Sequence, residues 1–218
     1  MAIATLAVGM IFVGGVFPVA IHFTTIATER TIAAVAADEA FAKIRLYGGI
    51  DLNWISNLSS TDCNDFNDVS SVQLNPDEFA YPSTYTNSQK QYYWSALCRQ
   101  IPLSTNVQVT VFVSRKIGGG LMRPVPVRVG VNVSPTGRAD ELIIEPGKKT
   151  FINDGYTIVD NETGDIYRVL ERYTAPDNVI LLDRNWQGVL PGFVWVVPPP
   201  SGGGRYPCVA VYQKVVKF

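Results

Sequence analysis

Hydrophobic and polar positions divide the chain into stretches with different periods. Residues 1–21, MAIATLAVGMIFVGGVFPVAI, contain no charged side chain. A run of about 20 apolar residues matches the hydrocarbon thickness of a bilayer, so this stretch reads as a helix kept away from water. Beyond it the pattern becomes one-sided. Ile26, Ala33, Ala37, Ala40, Phe41 and Ile44 fall on one helical stripe, with Glu29, Arg30, Asp38, Glu39, Lys43 and Arg45 between them. Neither Pro nor Gly interrupts residues 19–47, and Gly48 and Gly49 then supply a stop signal. The pattern predicts one helix from near Met1 to Tyr47, about 70 Å long at 1.5 Å per residue and therefore protruding. Its alanine-rich part, TIAAVAADEAFA, lets another backbone approach closely. Gly14, Gly15 and Pro18 form a weak point in the apolar half, because glycine costs backbone entropy and proline lacks the helical N–H.

Residues 50–106 are rich in Asn, Asp, Ser and Tyr and read as a loop-rich excursion with short elements. Strand signals dominate from Val107. Val107, Val109, Val111 and Val113 alternate along NVQVTVFVS, and PVPVRVGVNV follows the GGG turn at 118–120, which suggests a hairpin. ELIIE, YTIVD, DIYRVLERY, NVILLD, FVWVVP and CVAVYQKVV follow, separated by SPTG, EPGKK, NDG, NETGD, APDN and PPPSGGG. DNETGD is a second hairpin signal. About eight short strands result with no helix-length pattern between them, so the sheet is antiparallel and the chain is not a βαβ protein. The predicted organisation is 1–47 helix, 48–106 connecting region and 107–218 β head. The expected fold class is α+β, the long helix packing Ala33, Ala37, Phe41 and Ile44 against the sheet.

Composition narrows the chemistry. The formal net charge of −1 gives no electrostatic case for a nucleic-acid partner. One histidine, His22, sits at the end of the apolar run, so a Ser-His-Asp or Cys-His site has no soluble histidine to use. It reads as a polar boundary residue. Cys63, Cys98 and Cys208 match no metal spacing, and GGG at 118 and 202 lacks the GK[ST] of a phosphate loop. Asp62, Asn64, Asp65, Asn67 and Asp68 make an oxygen-rich loop without EF-hand spacing, read as a polar turn. Asn57, Asn132 and Asn161 begin N-x-S/T triplets. The aromatics Trp54, Tyr92, Tyr93, Trp94, Trp186 and Trp195 read as core. No enzyme, catalytic residue, metal or cofactor is expected. Cys63 and Cys98 bracket the polar excursion, and a disulfide between them, with Cys208 free, is the expected staple in an exported chain.

An apolar then amphipathic helix leading into an antiparallel sheet resembles type IV pilins and pseudopilins. MAIATLAVGM looks like the interior of a prepilin N-terminal segment, and Ala4 to Met10 is most similar to the minor-pilin and pseudopilin branch. TERTIAAVAADEAFAKIR also resembles pilin-like proteins of planctomycete-type bacteria. The family's basic leader, cleavage Gly and early Glu are not in the sequence, and the expectation is that they precede Met1.

The resemblance implies a structural subunit of a pilus-like or pseudopilus filament, held in the inner membrane before assembly. A prepilin peptidase and an assembly machinery would act on it, and the filament would stand outside the cell or on its surface. Ile3, Leu6, Met10, Phe12, Val13 and Phe17 would pack in the filament core as a homo-oligomer, and the helix would unwind around Gly14, Gly15 and Pro18. The alternative expectation is a membrane-anchored β-rich binding domain, for carbohydrate or surface adhesion, that does not polymerise.

Overall fold

The computed structural model describes residues 2–50, 52–70, 74–83, 91–102, 104–117, 123–201 and 203–218. The predicted helix is present as α1, Ala2–Gly48, and it runs through Gly14, Gly15 and Pro18 without a break. It ends where the glycines signalled. The N–H of Gly49 bonds the Arg45 carbonyl at 3.0 Å, and Trp54 Nε1 donates to the Gly48 carbonyl at 2.9 Å. A Cβ at Gly48 would come within 2.8 Å of Phe218, so the close approach needs glycine there.

Among the described residues eleven strands follow: β1 (Asn64–Asp65), β2 (Ala80–Tyr81), β3 (Tyr92–Gln100), β4 (Asn106–Arg115), β5 (Val127–Val133), β6 (Glu141–Ile144), β7 (Thr157–Asp160), β8 (Ile166–Arg172), β9 (Val179–Leu182), β10 (Gly192–Val196) and β11 (Cys208–Lys217). They do not make one sheet. An antiparallel sheet has the order β1-β3-β4-β11, with β2 beside β1 on β3, and β5 to β10 close into a separate barrel of order β10-β5-β6-β9-β8-β7. The expected fold class, a helix on a single sheet head, is therefore corrected to a helix, a sheet and a closed six-stranded barrel. The reason is physical. Alternation shows that a strand is half-buried, but not which neighbour it pairs with, and closing the six strands of four to seven residues into a barrel removes their exposed edges.

Two finer expectations change with it. β4 pairs with β3 and β11, and not with the strand after the GGG turn, which opens the barrel as β5. The turn itself, 118–120, lies outside the described residues. The region 48–106, read as loop, holds β3, whose hairpin with β4 crosses the expected boundary at 106/107. The hairpin at DNETGD is present as β7–β8.

Register explains the two cores that meet at the sheet. Val107, Val109, Val111 and Val113 share one face with Trp94, Ala96 and Cys98 of β3, and this face packs on Ala33, Ala36, Ala37, Ala40, Phe41 and Ile44 of α1. The opposite face presents Leu97 and Phe112 to Val159, Val197, Cys63 and Cys208, the seam between sheet and barrel. The barrel interior is filled by its own side chains, among them Val129, Leu142, Ile158, Tyr167, Ile180 and Val194. Because Cys98 points towards α1 and Cys63 towards the barrel, the expected Cys63–Cys98 disulfide is not formed. All three cysteines are free and buried. Burial pushes the thiols of Cys63 and Cys208 up to about 12, which makes them poor nucleophiles.

Candidate assembly surface

The helix α1 has two fates along its length. From Ala33 to Ile44 its apolar stripe is covered by the sheet. Before that it projects, and its apolar side chains face outward: Met10 is 69% and Phe17 62% exposed, with Val16, Val19, Ile21 and Phe23 in the same state. A contiguous apolar surface of this kind marks a site that something else covers. The threonines that follow are less polar than their names. Thr24, Thr25, Thr28 and Thr31 each donate the side-chain hydroxyl to the carbonyl four residues back, at 2.8 to 3.0 Å, so their hydroxyls are already used within the helix.

A clasp holds the projecting part where it leaves the head. Glu29, the first charged residue of the chain, has a side chain only 12% exposed and lies between Arg115 of β4 and Arg205 of the segment before β11. Arg115 Nε donates to Oε1 at 2.8 Å and Nη2 to Oε2 at 2.5 Å; Arg205 Nη1 and Nη2 donate to the two oxygens at 3.0 Å each. Arg115 also donates to the Tyr206 carbonyl at 2.8 Å, which ties the clasp to the chain leaving the barrel. Bidentate pairing of this kind fixes geometry as well as charge. The Arg115 hydrogen bond, with both guanidinium charges, holds the Glu29 carboxyl below its usual range. Beside the clasp lies a groove of about 640 Å³, lined by Phe17, Ala20, Ile21, Thr24, Thr25, Thr28, Glu29 and Ile32 of α1 and by Gln91 and Tyr92 of the head.

Of the residues expected to pack a filament core, Met10 and Phe17 stand exposed on the projecting helix. The side chains of Ile3, Leu6, Phe12 and Val13 lie outside the described residues, although their backbone is helical. Gly14, Gly15 and Pro18 are helical and exposed, and a Cβ at either glycine would meet nothing within 4 Å. Ala33, Ala37, Phe41 and Ile44 are buried against the sheet.

The remaining candidates have structural uses. Asp65 caps the short helix Phe66–Val69 by accepting from Asn67 N at 2.9 Å, and burial raises its pKa. Asn161 is buried: it accepts from Trp195 Nε1 at 2.9 Å and donates to Asp62, joining the barrel to the oxygen-rich loop. Asn57 and Asn132 are exposed. Among the described residues no group of three or more His, Cys, Asp or Glu could hold a metal ion.

Two features escaped the sequence reading. One is the clasp, whose partners stand 86 and 176 residues from Glu29. The other is Glu141, buried at one end of the barrel, where it accepts from Thr136, Ser134 and Tyr173 at 2.5, 3.0 and 2.7 Å. Those bonds, Thr136 first, lower its pKa. A carboxylate so fully bonded is a tie and not a reactive group. A shallow groove of about 520 Å³ on the outer barrel wall lies beside Phe193, 45% exposed, with Gly130, Asn132, Glu145 and Pro146 around it.

No family model, curated protein or solved structure matches the chain. The resemblance to type IV pilins and pseudopilins is accordingly corrected. No family match supports it, and the head departs from a helix on one sheet by a whole closed barrel. Among the described residues no helix is long and apolar enough to cross a membrane; the run 1–21 expected to span one falls largely on side chains outside the described residues.

Proposed function

We propose that this protein is a structural subunit that polymerises through its projecting N-terminal helix. One observation carries the reading: an outward-facing apolar stretch of helix projects beyond the Glu29 clasp that ties it to the head. Covering Met10, Val16, Phe17, Val19, Ile21 and Phe23 is worth on the order of 10 kcal/mol at 1.5–3 kcal/mol per large apolar side chain. That is comparable with the freedom lost when two molecules associate. A helix that projects in one direction gives a head-outward arrangement, with the barrels outermost and the assembly displayed at a surface. The chemistry needed is packing alone.

Electron microscopy and sedimentation of the full chain test this. Regular assemblies are expected, and Phe17→Glu with Ile21→Glu should disperse them while leaving the melting of the head unchanged. If the wild-type chain stays monomeric at high micromolar concentration the reading fails. The solitary binding domain, favoured by the groove beside Phe193, would then take its place.

A further inference from the structure

The sheet of the head has two unequal edges. One is blunted, because β1 and β2, two residues each, share the flank of β3. The other is β11, ten residues long and paired with β4 on one side. Among the described residues no strand pairs with its other side. A strand so placed presents a row of backbone N–H and C=O groups to whatever lies alongside.

The molecule leaves room there. A cavity of about 410 Å³ is lined by Arg30 of α1, by Thr157 and Arg168 of the barrel, and by Cys208, Val209 and Tyr212. α1 and the barrel pack on opposite faces of the sheet, so a cavity that touches both lies across its edge. Further along, a cavity of about 210 Å³ lies between Phe41 and Arg45 of α1 and Lys214 and Val216 of β11. Val215, on the other face, is 56% exposed, so the barrel does not cover the end of the strand. An open edge with side-chain cavities beside it is the geometry of strand addition: main-chain bonds give affinity and the cavities give specificity.

Charge selects the occupant. In the lining of the two cavities Arg30, Arg168, Arg45 and Lys214 stand against a single acid, Asp38. A second β11, paired antiparallel across a two-fold axis, would set the cations at one end of the strand against those at the other end of its copy, and like charges opposed across strands are destabilising. Lysines on an edge also serve to repel strands, but Lys214 is drawn back, bonded to Asp38 at 2.6 Å and lying 4.7 Å from the centre of the Phe41 ring. We propose that the open edge of β11 takes an extended segment of a partner protein as an added strand, one carrying carboxylate side chains at alternate positions. This does not rest on the polymerisation reading, since no residue of the projecting helix before Arg30 takes part.

The probe is a synthetic peptide as long as β11 that alternates valine with glutamate, titrated against the full chain; the control has lysine at each glutamate. The glutamate peptide should bind, more weakly as salt rises, and should slow hydrogen exchange of β11 amides. Arg30→Glu with Arg45→Glu, both exposed on α1, should weaken it about tenfold with unchanged melting. The proposal is overturned by no binding at millimolar peptide, by binding that leaves the β11 amides unprotected, or by equal binding of the lysine peptide. It is also overturned if β11 amides gain protection as the protein's own concentration rises.

Discussion

Glu29 ties the helix to the head at the point where it begins to project. It accepts four hydrogen bonds from two guanidinium groups, and its carboxylate is charged in doing so. Because its folded pKa lies below the ordinary carboxylate value, its contribution is complete above that value and is lost as pH falls through the folded pKa. Glu29→Gln keeps the shape and removes the charge. Hydrogen bonds to charged groups are worth about 2 kcal/mol, which for a chain of this size corresponds to a melting temperature lower by roughly 5 °C at neutral pH. The gap between wild type and variant should close on acidification, because protonation makes the two side chains alike. Thermal melts at neutral and acid pH measure both numbers, and a gap that survives acidification would assign the effect to packing. Nothing local in the sequence marks this role. Glu29 reads as one more charge on a polar helix face, and its partners reach it only through the pairing of β4 with the rest of the sheet and the return of the chain after the barrel.

At the scale of elements, legibility followed periodicity. The helix was readable to within a residue at its end, because Gly48 and Gly49 stop it and one apolar stripe runs through it. The alternating valines of β4 were readable because one face meets α1, although the other face is buried too. β3 was not readable. Six consecutive residues of YYWSALCRQ are buried, as in β4, but here no single apolar residue type recurs at every second position, so the strand between α1 and the barrel shows no alternation to read. The strand count after Val107 and the β7–β8 hairpin were right while the pairing of β4 with β5 was not, since no local signal distinguishes a strand that widens a sheet from one that closes a barrel. The weak point in α1 sits between these cases. Gly14, Gly15 and Pro18 are helical here, yet the glycines cost about 1 kcal/mol each against alanine and the proline about 3. Alanine fits at both glycines without a clash. Gly14→Ala, Gly15→Ala and Pro18→Ala together should therefore slow amide exchange across residues 15–23, with no change in the melting of the head. Equal exchange in the triple variant and the wild type would show that the helix has no soft segment there to use on assembly.

The whole molecule is a helix-and-sheet unit with a barrel inserted between two neighbouring strands. β4 and β11 pair along nine positions, from Cys208 with Ser114 to Lys217 with Asn106, although the barrel strands lie between them in sequence. The ends of the insertion also meet: Val127 opens β5, Val196 closes β10, and the two residues are paired in register. The barrel has its own filled interior and closes on itself, so it leaves no sheet edge open. It borrows from the rest at one seam, where Val159, Val197 and Trp195 meet Leu97 and Phe112. Side chains of the sheet reach the carbonyls of its β7–β8 turn, with Arg99 donating to the Glu162 carbonyl at 2.6 Å and Gln213 to the Gly164 carbonyl at 2.7 Å. Closed strand order, adjacent ends and a separate core are the conditions under which a segment folds alone. Residues 123–198 expressed by themselves should therefore give a dispersed amide spectrum and a cooperative melt. The melting temperature should lie below that of the full chain, because the seam is opened to water and a domain of this size has little core to spare. Changing Val159 and Val197 to threonine should improve the solubility of the isolated barrel while lowering the stability of the full chain, since the same two side chains are surface in one and core in the other. A collapsed spectrum from residues 123–198 would instead mean that the seam is part of the barrel's own core, and that helix, sheet and barrel fold as one unit.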